Sequence, residues 1–355
     1  AYSELIKCFC KAYDNDEQAA QELGVVITKH YKGDEPQKRA TLKESYEFVL
    51  KDLDKATEYL KVDEDEKGDL YDMPYFTEFA CHALRARVSL YMHRWDDAIK
   101  YASKVISSKR YFMASCTQNI GSTSMYNYQW TEGKSTEGIW KVEFTLNSYG
   151  GALGTIFSNY NYATYRPDYV PAKWVINSYD NNDLRAPSIF RTVTTGYDHA
   201  LSWPMLIKYM GDSDFRRNNI LHVHRPTVLR LSEQYLIRAE AYAMNEEYTK
   251  AGKDITTLRT ARYSSYGGNT ALSKSNAMDV IEAERVKELY MEGFRLNDLK
   301  RWHKGFARKV SDQPAANFVQ SSLKVEKDDP LFVWPIPQHE LEAPGSEIEP
   351  NESNK

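Results

Sequence analysis

An internal repeat constrains the fold of this chain more than any other feature. In HALRARVSLYMHRWDDAIKYASKVI, the residues Arg85, Ala86, Trp95 and Ala98 recur as Arg238, Ala239, Tyr248 and Ala251 of YLIRAEAYAMNEEYTKAGKDITTL, at a constant spacing of 153. Each copy reads as a helix of about four turns, a short polar turn, and a second helix opening with an aromatic residue. The alanines fall where the two helices of a copy press together, which is the arrangement of a tetratricopeptide hairpin. A further helix, Thr41 to Leu60, precedes the first copy with Tyr46, Val49, Leu50, Leu53, Ala56 and Leu60 on one face. Thr41 followed by Glu44 predicts a capping box at its start.

The texture changes between the two copies. Cys116 to Leu229 is rich in Gly, Asn, Ser, Tyr and Pro, with short strand-like runs such as Gly138 to Phe144 and a helix expected over Ala172 to Tyr179. The end of the chain is again irregular and contains Phe332-Val333-Trp334-Pro335-Ile336-Pro337. The expected fold is therefore mainly α, a tetratricopeptide-like helical hairpin scaffold with a large irregular, loop-rich insert and an extended C-terminal tail. Its 355 residues are read as a single domain, 1–355. Within it lie N-terminal helical repeats (1–115), the insert (116–229), C-terminal helical repeats (230–305) and the tail (306–355).

Composition excludes several function classes. A net charge of −4 with no long basic run gives no case for nucleic-acid binding. No stretch of apolar residues is long enough to span a membrane. Cys8, Cys10, Cys81 and Cys116 lack metal-ligand spacing and read as buried thiols. The 26 tyrosines and 7 tryptophans, set among asparagine and glycine, have the composition of a wet recognition surface.

Catalytic motifs are missing: no Gly-x-Ser-x-Gly elbow, no phosphate-binding loop, no His-Glu-x-x-His helix. Asp63 to Pro74 has the look of a calcium loop at its start, but Pro74 stands where a bidentate Glu is needed, so a solvated loop is expected. His222-Val223-His224 lacks a third ligand nearby and is read as surface or strand. No catalytic residue, metal site or cofactor is expected, and the chain is read as a binding protein.

The segment IEAERVKELYMEGFRLNDLKRW (281–302) interleaves charges with an apolar stripe on what reads as one helix. Glu284, Arg285, Glu288, Glu292, Arg295 and Asp298 are expected to form structural ion pairs at the border of that stripe. Together with RLSEQYLIRAEAYA (230–243) and FVWPIPQHEL (332–341), this segment closely resembles the C-terminal signatures of the SusD/RagB family, outer-membrane nutrient-binding lipoproteins of Bacteroidetes. GVVITKHYK with RATLKESYEFVLKDLDKA resembles the family's first helical repeats, and TYRPDYVPAKWVINSYDNNDLR the middle of its RagB-like branch. The family's signal peptide, lipidated cysteine and first helices are not among these residues.

The resemblance implies a cell-surface lid on a TonB-dependent, SusC-type transporter barrel. It would be held to the extracellular face of the outer membrane by an N-terminal lipid anchor not present in this chain, and would capture an oligosaccharide or oligopeptide. Candidate ligand-binding residues are Tyr160, Asn161, Tyr162, Tyr165 and Arg166, which put stacking rings, an amide and a guanidinium into one short run. Trp130, beside Tyr126 and Tyr128, is a second candidate. The competing expectation is a tetratricopeptide-type adaptor without small-ligand capture, which would display aromatic and Asn residues on a concave helical face instead.

Overall fold

The two repeat copies fold alike down to their turns. The computed structural model describes residues 1–30, 37–60, 74–197, 200–314 and 323–355. Helices Glu78–Tyr91 and Trp95–Ser107 form the first hairpin, and Leu231–Met244 and Tyr248–Arg262 the second. His93 and Glu246, at equivalent positions, both take the left-handed conformation with φ of 55° and 61°. The next amide reaches back across each helix end, Arg94 N–H to Ser89 O at 2.9 Å and Glu247 N–H to Tyr242 O at 2.8 Å. These bonds satisfy carbonyls that a helix terminus would otherwise leave open.

Small residues bring the hairpins together although the whole insert separates them in sequence. Ala86, Ala98, Ala102 and Ala241 are fully buried and pack with Leu90 and Ile237 in one cluster. With only a methyl group at each contact, helices Trp95–Ser107 and Leu231–Met244 approach closely. Buried Arg87 of the first hairpin donates to Glu233 of the second at 2.6 and 2.7 Å. Helix Leu42–Tyr59 packs on the outer side of the first hairpin through Tyr46, Val49, Leu50 and Leu53. Its Thr41–Glu44 capping box is present in both directions.

Ile281 to Trp302 departs from the single helix expected of it. Helix Ala277–Glu288 stops, and a second helix, Arg295–Arg301, begins after a turn in which Met291 and Gly293 have φ of 58° and 82°. Gly293 accepts this conformation at little cost. The periodicity continues through the turn, so the sequence pattern alone conceals the break. The carbonyls left open there are taken by side chains of the insert. Tyr179 hydroxyl donates to Lys287 O, Lys208 Nζ to Tyr290 O and Tyr209 hydroxyl to Met291 O, at 2.8, 3.0 and 3.0 Å.

The charges of this segment lie inside the fold. Glu284 receives Arg185 and Arg259, Glu288 receives Arg185, Arg230 and Arg262, and Glu292 receives Arg230 and Lys208. Arg285 and Arg301 both hold Asp298. Arg295, half-way to the surface, pairs with Glu282 at 2.8 Å. Burial alone would raise the pKa of Glu284, Glu288, Glu292 and Asp298. The surrounding cations outweigh it and hold all four below the ordinary carboxylate range.

The two ends of the insert close on each other where strand Gly138–Lys141 pairs antiparallel with Thr227–Arg230, directly ahead of helix Leu231–Met244. A second antiparallel pair, Phe190–Thr194 with Ser202–Leu206, runs through the middle of the insert. Lys173–Ile176 is a single helical turn within the longer helix expected there. The tail returns to the N-terminal segment: Trp334 N–H donates to Cys8 O, and Asn351 accepts from Arg39 at 2.8 Å. Cys10, Cys81 and Cys116 are buried and Cys8 half-buried, all as free thiols. The acidic run 63–73 lies outside the described residues.

Candidate functional site

One uncharged stretch carries two of the insert's exposed aromatic rings, Tyr149 and Tyr162. From Thr145 to Tyr165 the chain contains no Asp, Glu, Lys, Arg or His. Its last part folds as a tight loop organised by Asn161, whose Oδ1 accepts from Ala163 N–H, Thr164 N–H and Thr164 Oγ1 at 3.1, 2.8 and 3.2 Å. Asparagine is suited to such self-closing turns because its short side chain imitates a peptide carbonyl. Asn159 and Tyr162 flank it with φ of 39° and 70°. A tyrosine in that region carries on the order of 1–3 kcal/mol of backbone strain, and here the result is a ring that stands 57% exposed.

Three tyrosines of this loop form a shelf. Tyr160 and Tyr165 stack with ring centroids 4.6 Å apart and planes 23° apart, and Tyr162 meets Tyr160 edge-on at 5.9 Å. The shelf is fixed on two sides. His222, buried and hydrogen-bonded to Ser158 Oγ, contacts Tyr160 O through Nε2 at 2.9 Å. Burial holds its pKa below that of an ordinary imidazole, the bond to Tyr160 opposing. Across the loop, Gly196 N–H donates to Tyr165 O at 2.9 Å and Arg166 Nε to Gly196 O at 3.0 Å. A side chain at Gly196 would collide with Thr164, so glycine is what lets the two segments approach.

The strand beside the loop adds groups that sequence reasoning missed. Arg191 Nη2 donates to the Tyr165 hydroxyl at 2.6 Å. Tyr197 hydroxyl donates to Pro167 O at 2.8 Å, leaving its ring half-exposed. Tyr169 and Trp174 are also exposed. Arg191 and Tyr197 sit more than twenty residues along the chain from the loop, and no local motif connects them to it.

Trp130 requires a correction. It is 4% exposed, with Lys208 Nζ only 3.9 Å from its ring centroid and Tyr209 and Tyr126 against its edges. A ring face already covered by a buried ammonium offers no stacking surface, so Trp130 belongs to the core of the insert. Tyr126 is fully buried as well. The expected sites thus divide: Tyr160, Asn161, Tyr162, Tyr165 and Arg166 come together in one loop, and Trp130 does not join them. His222 and His224 also differ from the surface or strand role expected of them. Both are buried, and His224 Nδ1 lies 2.5 Å from Asp212 Oδ1.

A cleft of about 430 Å³ opens elsewhere on the insert, between Tyr128, Glu132, Glu143, Asp214, Arg217 and Arg225. Its charges largely answer one another, since Arg225 alone engages Glu143, Asp212 and Asp214 at 2.8, 3.0 and 2.7 Å. Among the described residues no His, Cys, Asp and Glu group is placed to hold a metal ion, and no helix is long and apolar enough to cross a membrane.

Comparison with known proteins finds one family likeness and one recurring fold. Residues 190–346 match the SusD family model. Over these residues, somewhat less than half of the chain, it is similar to the SusD family. They include the segment 281–302 and the strand carrying Arg191. Across nearly the whole chain the SusD superfamily fold recurs in solved structures. A SusD superfamily protein from Bacteroides thetaiotaomicron superposes with a TM-score of 0.77 at 23% identity, covering 99% of this chain and 75% of that one. A SusD-like carbohydrate binding protein from Bacteroides vulgatus gives 0.74 at 21%, covering 96% and 72%. Surface glycan-binding protein A from Bacteroides uniformis gives 0.70 at 16%, covering 99% and 75%. No curated protein matches the chain. At these identities the structural likeness speaks for the SusD fold, and the family likeness is confined to residues 190–346.

Proposed function

We propose that this protein is a cell-surface binding subunit that captures oligosaccharide on the shelf of Tyr160, Tyr162 and Tyr165. It would pass the ligand to a TonB-dependent, SusC-type barrel in the outer membrane. The observation that carries this reading is the shelf itself: three tyrosine rings at the surface of an uncharged loop, on the SusD fold. Sugar rings present apolar C–H faces that stack on such rings, while their hydroxyls take hydrogen bonds from nearby polar groups. Two proteins of like fold are described as carbohydrate-binding and glycan-binding, which favours saccharide over peptide as the ligand here. Capture works by differential affinity: a ligand held between lid and barrel favours the closed pair only to the extent that it binds that state better.

The adaptor alternative would need its exposed aromatics on the helical scaffold. Tyr59, Tyr75 and Phe112 are exposed in the N-terminal repeats, but five exposed rings, Tyr149, Tyr162, Tyr169, Trp174 and Tyr197, lie in the insert, which favours ligand capture there. Co-purification from native outer membranes tests the assembly. A large β-barrel recovered with the protein, and a saturable thermal shift with an oligosaccharide pool, are the expected results. Isolation without a barrel and with no shift would refute the reading.

A further inference from the structure

We propose that Arg191 makes the tyrosine shelf selective for acidic saccharides, those bearing a carboxylate on the sugar ring. The inference rests on the saccharide reading above and narrows it. Arg191 is an exposed residue of strand Phe190–Thr194, and its guanidinium carbon sits 5.9 Å from the centroid of Tyr165. Nη2 is engaged by the Tyr165 hydroxyl at 2.6 Å and, more weakly, by Met210 Sδ at 3.6 Å. Among the described residues no carboxylate lies within 4.0 Å of this guanidinium.

Two arginines of the insert are matched by carboxylates, whereas Arg216 and Arg217, like Arg191, have no such partner among the described residues. Arg185 is held by Asp183, Glu284 and Glu288, and Arg225 by Glu143, Asp212 and Asp214. The loop facing Arg191 supplies no countercharge, because Thr145 to Tyr165 is uncharged. The next residue, Arg166, spends Nε on a backbone carbonyl and likewise has no carboxylate partner among the described residues. A cation is therefore fixed at the hydroxyl edge of a stacking ring, with Nε and Nη1 of Arg191 uncommitted. A guanidinium fork matches a carboxylate in two parallel hydrogen bonds, each stronger than a bond between neutral groups. A uronate ring stacked on Tyr165 would bring its carboxylate to that edge. A neutral sugar would offer it only uncharged hydroxyl acceptors.

The competing explanation is that Arg191 merely positions Tyr165 through the hydroxyl bond, and two variants separate the cases. Arg191→Gln removes the charge. Tyr165→Phe removes the hydroxyl bond and keeps both the charge and the ring. The test is isothermal titration of the full chain with a pool of acidic oligosaccharides (oligogalacturonides and alginate oligomers) and with the same pool after carboxyl reduction to neutral sugars. An acidic oligopeptide pool forms a third arm.

The acidic pool should bind about tenfold or more tightly than its reduced counterpart, as a charge-assisted pair requires. That preference should shrink as salt is raised, disappear in Arg191→Gln and persist in Tyr165→Phe. Equal binding of the two pools, lost in Tyr160→Ala, would overturn the role of Arg191 and leave the saccharide reading standing. Binding of the peptide pool with neither saccharide pool would overturn both.

Discussion

Arg185 of the insert donates to Glu288 of the scaffold at 3.0 Å, and neither side chain has any contact with solvent. The same glutamate receives Arg230 at 2.6 Å and Arg262 at 2.8 Å, so three arginines converge on one carboxylate at the junction of insert and helices. Such a cluster contributes little net stability compared with an apolar core, but it is intolerant of losing a member. It joins the loop-rich insert to the helical hairpins through buried charges.

Glu288→Gln should therefore be strongly destabilising. Removing the negative charge leaves Arg185, Arg230 and Arg262 buried and mutually repelling, with an expected loss of about 3–5 kcal/mol. Urea unfolding measures it, as a lowered midpoint. A midpoint within error of the parent would show that the cluster does not hold the insert.

Acid stability has a definite sign. Glu284, Glu288, Glu292 and Asp298 all titrate below their ordinary values in the folded chain. Their contribution is thus fully present above the unfolded carboxylate range, near pH 4, and is lost only as pH falls through the lower folded values. Unfolding monitored by circular dichroism should show a stable chain down to about pH 4 and a steep loss beneath it. A gradual decline beginning near neutrality would contradict this placement of the charges.

His303 carries the opposite sign. It bridges the N-terminal segment and the tail, with Nε2 2.8 Å from Asp14 and Nδ1 2.6 Å from Asp328. Burial alone would lower its pKa, but the bonds to Asp328 and Asp14 prevail and raise it. The clasp is fully formed below the unfolded imidazole value of about 6.5, and loosens as pH rises through the higher folded value. Hydrogen exchange around Asp328 to Phe332, corrected for intrinsic rates, should be faster at about pH 8.5 than at about pH 6. His303→Gln should abolish that difference.

Trp130 and Tyr162 should part company on substitution. Trp130→Ala removes a ring packed under Lys208 inside the insert, and should cost about 3–5 kcal/mol of stability. Tyr162→Ala removes an exposed, strained side chain, and should change stability by less than about 0.5 kcal/mol while weakening ligand binding. Urea midpoints and titrations on both variants separate packing from recognition. Equal loss of stability in the two would contradict the assignment.

Much of the scaffold was legible in the sequence because its signals are local and periodic. The repeated Arg-Ala and aromatic-Ala spacing located both hairpins, and Thr41 with Glu44 gave the cap. The turn at Met291–Gly293 was hidden, because charges and apolar residues keep helical spacing through it while distant Tyr179, Lys208 and Tyr209 satisfy the open carbonyls. The site was only half legible for a related reason. Tyr160, Tyr162 and Tyr165 share one loop and could be found together, whereas Arg191 arrives from strand Phe190–Thr194 and Tyr197 from the segment after it. Whether an aromatic is shelf or core depends on what covers it. Nothing near Trp130 in sequence announces that Lys208 lies over its ring.

The central claim is that the tyrosine shelf captures oligosaccharide. The most direct measurement is calorimetric titration of oligosaccharide and oligopeptide pools against the parent chain and Tyr160→Ala/Tyr165→Ala. The account predicts saturable saccharide binding by the parent, at least about tenfold weaker in a double variant that remains folded. Peptide binding alone, or saccharide binding indifferent to both tyrosines, would contradict it.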